Sequence, residues 1–332
     1  MRIRRAALLS LAIGCSALVA APANAERTLR LSLQVAVSHA LGQNILHFKE
    51  RVEDLSDGEI TVEIYDAAQL YKGSEIPQAV ASGAIDMGLV LIDEFAGTVP
   101  VASVFSVAFM FPSQEILAKA AAPDSEVRRI IDEQIAETGA RPLWWQDYGP
   151  VQLLSNGGGL TSPEDMEGEK VRALGKATGQ FVEAVGGIPV KISGSEQFLA
   201  YQRGTVDIGM TGTTAIETRK LYEVMDTVTM TNHAQTEFLI VISDSLWQDL
   251  SEEEREILSE AAWSAEQKLR EETAANNAAS EEFIADEGMN VVHLTPEQRE
   301  AWREAAAPAI DLFLESAGEQ GEALVEEIRK LY

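Results

Sequence analysis

Arg172 is the residue whose type and setting most directly imply chemistry. It stands in Val171-Arg172-Ala173-Leu174, where strand alternation sends Val171 and Ala173 to the opposite face. A guanidinium inside an apolar strand needs a partner. Its planar fork of donors fits a carboxylate gripped by two parallel hydrogen bonds. That partner is a bound acid, an acidic side chain of the same chain, or water at a strand edge. Trp144, Trp145 and Tyr148 form a second cluster. Alternation separates the two tryptophans, so at most one reaches a shared cleft; Trp145 is the expected one, with Tyr148 just past it. A tryptophan packed in the core is the competing reading. Asp93 and Glu94 follow an apolar strand and face either the same cleft or solvent.

Signatures of catalysis are sparse. The four histidines, His39, His47, His233 and His293, show no metal-pair spacing, and there is no Gly-x-Ser-x-Gly elbow. Gly175-Lys176 lacks the upstream glycine of a phosphate loop. No metal and no cofactor is expected. The sole cysteine is Cys15, inside a segment read as a leader, so disulfides and thiolate chemistry are not expected in the mature chain.

That leader is residues 1–25: Arg2, Arg4 and Arg5, then an apolar run from Ala6 to Val19, then Ala23-Asn24-Ala25 as a small-x-small cleavage site. It reads as a secretory signal peptide with the mature chain starting at Glu26. An N-terminal membrane anchor and a lipid attached at Cys15 are the alternatives. The chain carries 26 basic and 53 acidic residues; without the three leader arginines the balance is 23 against 53, or −30. Such a field repels nucleic acid and anionic lipid. It does not decide the ligand, because charges beyond about 8 Å are screened at physiological salt.

The elements that must position these residues show a repeat. Gly83-Ala84-Ile85-Asp86-Met87-Gly88 returns as Gly204-Thr205-Val206-Asp207-Ile208-Gly209, 121 positions later (204 minus 83). Each copy reads as a helix that stops on a left-handed glycine and turns straight into a buried strand. Around the first copy, strands are expected at 29–35, 60–65 and 84–91, with helices between them. Around the second, strands are expected at 170–174 and from 186, followed by one after the repeat. A β-α-β-α-β order implies a mostly parallel sheet with right-handed crossovers. The reading is therefore α/β, with two matched lobes and a cleft between them. Residues 155–159 and 238–242 are expected to cross between lobes. Ser251 and Glu254 form a capping box that opens a long helix reaching Phe283. The expected division is 26–148 plus 236–276 for lobe one and 149–235 plus 277–332 for lobe two.

Gln69-Leu70-Tyr71, Ile85-Asp86-Met87-Gly88, Ser162-Pro163-Glu164-Asp165-Met166-Glu167-Gly168, Val171-Arg172, Ser195-Glu196 and Met230-Thr231-Asn232-His233 occur in order. Together they resemble the extracytoplasmic solute-binding subunit of tripartite ATP-independent periplasmic (TRAP) transporters, over essentially all of the mature chain. The resemblance implies a two-lobe periplasmic binding protein, with no enzymatic activity and with its long helix bracing both lobes. Such a protein closes on a small organic anion and delivers it to a permease of a small and a large membrane subunit. It also implies that Arg172 grips the ligand carboxylate. Further site residues implied are Gln34, Ser38 and His39 after the first strand, Leu91 after the third, Gln152, Thr211 and Thr213 after the second repeat copy, and His233.

Where many relatives have a second arginine, this chain has Val151-Gln152. The expectation is accordingly a monocarboxylate. Two rival functions are weighed against it: a cationic or polyol solute held in a cage of Trp145, Tyr148, Glu94 and Asp147, and a periplasmic hydrolase or lyase using carboxylates.

Overall fold

The computed structural model describes residues 27–332; the leader and the expected first mature residue, Glu26, lie outside them. Lobe one opens with β1 (Arg27–Ser32), β2 (Ile60–Tyr65) and β3 (Met87–Leu91). β1 lies between β2 and β3 and is parallel to both. The helix Ala40–Leu55 joins β1 to β2 and buries Leu41, Ile45, Phe48 and Val52 at helical spacing. His39 caps its start: the ring Nδ1 accepts from the Leu41 amide at 3.1 Å.

Two strands are longer than the sequence suggests. β4 spans Ala140–Ser155, and β8 spans Thr227–Ser243. They run antiparallel along each other and serve both lobes. In lobe one, β8 pairs with β3 through residues 238–242. Lobe two contains β5 (Lys170–Ala173), β6 (Ile188–Lys191), β7 (Gly209–Gly212) and β9 (Asn290–His293). There β4 pairs with β7, and β8 pairs with β9. β5 is parallel to β6, and a bridge from Val171 to Ile208 joins β5 to the approach of β7. One mixed seven-stranded sheet thus runs through both lobes by way of the shared antiparallel pair, while β5 and β6 form a separate parallel pair.

The crossing lies in the middle of these strands and not in the 155–159 loop. It is irregular there: register shifts occur between Asp147 and Gly149 and between Val151 and Leu153. Gly149 has φ +88 and Asn232 φ +44. The β8 bulge around Asn232 is pinned by Gln152, whose Nε2 donates to Asn232 Oδ1 at 2.7 Å and whose Oε1 accepts from the Asn232 amide at 3.1 Å.

The repeat has the geometry its sequence implies. Gly83 has φ +72 and Gly204 φ +64, each closing a short helix, Ile76–Ala81 and Gln197–Gln202. The repeat extends beyond those six residues: Gly73-Ser74-Glu75 and Gly194-Ser195-Glu196 stand 121 apart as well, and each forms a 3-10 turn. The aspartate of each copy clips the neighbouring strand. Asp86 accepts from the Arg30 amide at 2.8 Å, and Asp207 from the Lys170 amide at 2.9 Å.

The long helix is Glu252–Asp286, 35 residues, or about 52 Å at 1.5 Å per residue. Ser251 and Glu254 form the expected capping box. The helix touches lobe one where Asn44 donates to the Ala265 carbonyl, and lobe two where Ser280 meets Glu217. A buried ion network fixes its middle. Glu266 accepts both terminal nitrogens of Arg128, at 2.5 and 3.0 Å, and the Trp145 amide at 3.1 Å. Arg270 joins Glu266 to Glu237 on β8. Burial pushes the Glu237 carboxyl up to about 8, against the pull of Arg270.

The chain end departs from the expected division. The helix Pro308–Arg329, kinked at Gly318, sends Phe313, Leu324, Val325 and Ile328 into the core that holds Phe105, Val127 and Ile131. That core is lobe one's; lobe two holds the helix through Gln180, which donates to the Leu312 carbonyl.

Removing Glu266 takes the bidentate acid from Arg128, leaving it Asp132 and the Ala121 carbonyl at 3.3 Å each, and leaves Arg270 with Glu237 as its acidic partner. Glu266→Ala is expected to lower stability by about 3–5 kcal/mol, the cost of breaking a buried pair from one side. Urea unfolding checks it, and a loss under about 1 kcal/mol would overturn the role given to the network.

Candidate functional site

Arg172 sits mid-strand in β5, 4% exposed. Its Nε donates to the Ile192 carbonyl at 3.0 Å and its Nη1 to the Met210 carbonyl at 2.6 Å. Neither partner is charged, and among the described residues no carboxylate lies within ion-pair distance of it. Burial lowers its pKa; Tyr201 opposes this and Arg219 adds to it. A guanidinium stays charged in a protein all the same, so its remaining donors face the cleft as an unneutralised cation.

The cavity at this guanidinium holds about 20 Å³, room for about one water, because the two walls are drawn together. Lobe one contributes Gln34, Leu91 and Glu94, and the shared strands contribute Tyr148 and Phe238. Lobe two contributes Arg172, Leu174, Ile192, Ser193, Thr211 and, from the end of the helix Thr213–Thr218, Arg219. Tyr148 is fixed from the far wall: its hydroxyl lies 3.1 Å from Thr211 Oγ1 and accepts from the Gly212 amide at 3.3 Å. Its ring lies so close to Gly212 that a Cβ there would sit 2.4 Å from it. Two ion pairs span the mouth, Lys72–Glu196 and Lys191–Glu94, each at 2.7 Å. Each joins one lobe to the other. A larger groove of about 630 Å³ lies elsewhere, between the helix Ala40–Leu55 and the long helix. It has no buried cation, so the Arg172 cavity is the stronger candidate for an acid.

Of the expected residues, Arg172, Tyr148, Gln34, Leu91 and Thr211 converge on the cavity. His39 lies behind it, stacked on Tyr148, with its Nε2 3.3 Å from Thr214 Oγ1. Because Nδ1 accepts from Leu41, Nε2 carries the proton. Burial, with Arg219 adding, lowers the His39 pKa to about 3, so the ring is neutral.

The others are placed differently. Trp145 is buried in lobe one against Phe105, beneath Arg128, with Nε1 donating to Asp132 at 2.8 Å. Trp144 packs on Phe48 from the other face. β4 is covered by helices on both sides there, so alternation leads each tryptophan into a core and neither into the cleft. Gln152 is spent on the β8 bulge. Thr213 is buried at the start of a helix and outside the cavity lining. Ser38 is exposed and lines the larger groove. His233 stacks on Phe181, with its Nδ1 2.7 Å from Thr231 Oγ1. The proposed cage does not assemble: Trp145 is in the core, and Asp147 is engaged by Gln235 and the Gly149 amide.

Sequence reasoning missed Arg219, Phe238 and the Ser193-Gly194 turn. The 121-residue offset linking Gly73 to Gly194 was the available signal for the turn. Arg219 follows a helix end and has no motif of its own.

These features define the class: a two-lobe binding protein whose cleft presents a buried cation. Residues 31–316 match the family described as bacterial extracellular solute-binding protein, family 7 (DctP). The chain belongs to that family and is the solute-binding type found in TRAP transporters; proteins of this kind are binding proteins and not enzymes. It is similar to the C4-dicarboxylate-binding periplasmic protein DctP of Rhodobacter capsulatus, with 27% identity over 326 residues, 96% of this chain and 97% of that one. A TRAP periplasmic solute-binding protein of Sulfurospirillum deleyianum, solved with succinate, superposes with a TM-score of 0.86 at 26% identity, covering 93% of this chain and 100% of the other. A third, from Roseobacter denitrificans with L-galactonate, gives 0.84 at 26%, covering 92% and 99%.

Asp93 yields a pH prediction. It is buried, neither oxygen completes a hydrogen bond, and a Cβ on Gly175 of lobe two would lie 2.5 Å from its Oδ2. Burial raises its pKa to about 7; Glu94 adds to the rise, while the Ser106 hydroxyl and Lys191 oppose it. Gly175 of lobe two covers it, so parting the lobes is expected to bring the carboxyl back toward its ordinary 3.8. Closing near neutrality therefore takes up a proton, and affinity should fall as pH rises from 6.5 to 8. His39 works in the opposite direction only below its ordinary 6.5. Asp93→Asn should bind more tightly than the parent at pH 8 and flatten the profile. Calorimetric titration of the best-binding acid across this range checks it, and identical profiles for both proteins would overturn it.

Proposed function

We propose that this protein captures a small organic acid outside the cytoplasm by closing its lobes over the ligand carboxylate, which Arg172 holds. It then passes the ligand to a TRAP permease with a small and a large membrane subunit. The observation that carries the reading is a fully buried guanidinium that no acidic side chain neutralises. Such a charge is costly to bury unless an anion arrives, and closure strengthens the resulting pair by expelling water. The succinate and L-galactonate held by the two similar structures are both carboxylates, which supports the class. The Arg-rich head, apolar run and small-x-small site of residues 1–25 support export through a cleaved signal peptide, and the similar DctP protein is periplasmic by name. No helix of the described residues is long and apolar enough to cross a membrane, which leaves the membrane step to the permease. The expectation of a monocarboxylate rested on the missing second cation at Val151-Gln152. Arg219 supplies a cation from another element and removes that ground.

A thermal-shift panel of small carboxylates, sulfonates, amines and polyols tests the class, since a ligand that binds only the folded form raises the melting temperature. Carboxylates should give the shifts. In Arg172→Ala, the affinity for the best acid should fall by about 2–5 kcal/mol, as for one partner of a buried charge pair. A dissociation constant left unchanged by that substitution would sink the assignment.

A further inference from the structure

We propose that Arg219 reads a second anionic group on the ligand, so that the cleft selects a dianion over the corresponding monoanion. This rests on the reading that Arg172 holds a carboxylate, and it adds a specificity-determining residue to that site.

Charge balance inside the cavity carries the argument. Three charged side chains line it: Arg172, Arg219 and Glu94. Glu94 is already satisfied by Lys191 at 2.7 Å. Two guanidinium charges remain, and no acidic side chain of the described residues pairs with Arg219. A single carboxylate on Arg172 would leave one of these cations uncompensated when the lobes close, whereas two anionic groups neutralise both.

Arg219 is also aimed and held. Its Nη1 donates to Gln197 Oε1 at 3.0 Å, and Gln197 Nε2 donates to the Met210 carbonyl at 3.3 Å. That carbonyl is the one Arg172 uses. The two guanidiniums are therefore fixed relative to each other through one backbone oxygen, as two ends of a rigid gauge. Space has been kept for the second one. A Cβ on Gly194 would lie 2.8 Å from Arg219 Nη2 and 3.0 Å from Gln34 Oε1. Glycine at this position lets the guanidinium reach the cavity, although the backbone there has no need of a left-handed residue.

The experiment compares succinate with its monoamide, succinamate, by calorimetric titration at pH 7.5 and fixed ionic strength. It uses the mature protein and the variants Arg219→Gln, Gly194→Ala and Arg172→Gln. The parent should bind succinate at least tenfold more tightly than succinamate. Arg219→Gln should bring succinate down to the succinamate level while changing succinamate little. Gly194→Ala, which displaces the guanidinium without removing it, should narrow the ratio in the same direction. Arg172→Gln should weaken both ligands. Equal binding of the two ligands by the parent, or a ratio unchanged in Arg219→Gln, would overturn the role of Arg219 and leave Arg172 standing. Arg172→Gln binding both as the parent does would overturn both readings; a parent that binds neither ligand while a monocarboxylate binds would overturn the role of Arg219 alone.

Discussion

A cation buried among backbone carbonyls is the constraint that organises this molecule. Carbonyl dipoles from Ile192 and Met210 hold the Arg172 guanidinium in place without cancelling its charge. An acidic side chain there would have made a closed internal pair and a stable, inert strand. Its absence makes the energy of the closed lobes depend on what enters between them. β5 must be short and central to bury the residue, and β7 must present the Met210 carbonyl to it. Tyr148 must reach across from β4 to cover the site. The Gly212 position, where a Cβ would collide with that ring, is part of the same requirement.

Both walls of the cleft are made by one recipe used twice. A 3-10 turn, a short helix, a left-handed glycine and an aspartate that clips the adjacent strand lead to β3 in one lobe and β7 in the other. The two Gly-Ser-Glu turns come to face one another, and Gln34 lies against both Gly73 and Gly194. Lys72, beside the first turn, pairs with Glu196 in the second. Exposed pairs of this sort contribute about 0–1 kcal/mol each, so they orient the closed lobes more than they hold them. The long helix, with its buried Arg128–Glu266–Arg270–Glu237 network, touches both halves and sets them in one frame.

Much of the fold was legible in the sequence because the repeat, the capping boxes and the apolar spacing are local signals. The left-handed glycines at 83 and 204 and the box at Ser251 lie where the pattern puts them. The crossing was not legible. Residues 155–159 and 238–242 read as two short crossings, because bulges at Asp147–Gly149 and Asn232 break the alternation that marks a continuous strand. The site was legible near the repeat, at Arg172, at Tyr148 and, through the resemblance, at Gln34. Trp145 misled because alternation tells which face a residue takes and not what covers that face. Gln152 and His233 lie next to the cleft in sequence but satisfy local needs, the bulge and an aromatic stack. Arg219 is brought in by tertiary packing after a helix end, which no spacing rule anticipates.

The two long strands have a consequence for how the chain comes to be folded. Neither lobe owns a complete sheet: each borrows its antiparallel strands from β4 and β8. Lobe one, although most of it lies in the first half of the chain, lacks its antiparallel strand until residue 243 and part of its core until Ile328 has been made, and lobe two waits for β9 after the long helix. The polypeptide should therefore mature late and all at once, with no autonomous N-terminal piece. A cut between the lobes would yield two incomplete sheets with open edges rather than two small proteins.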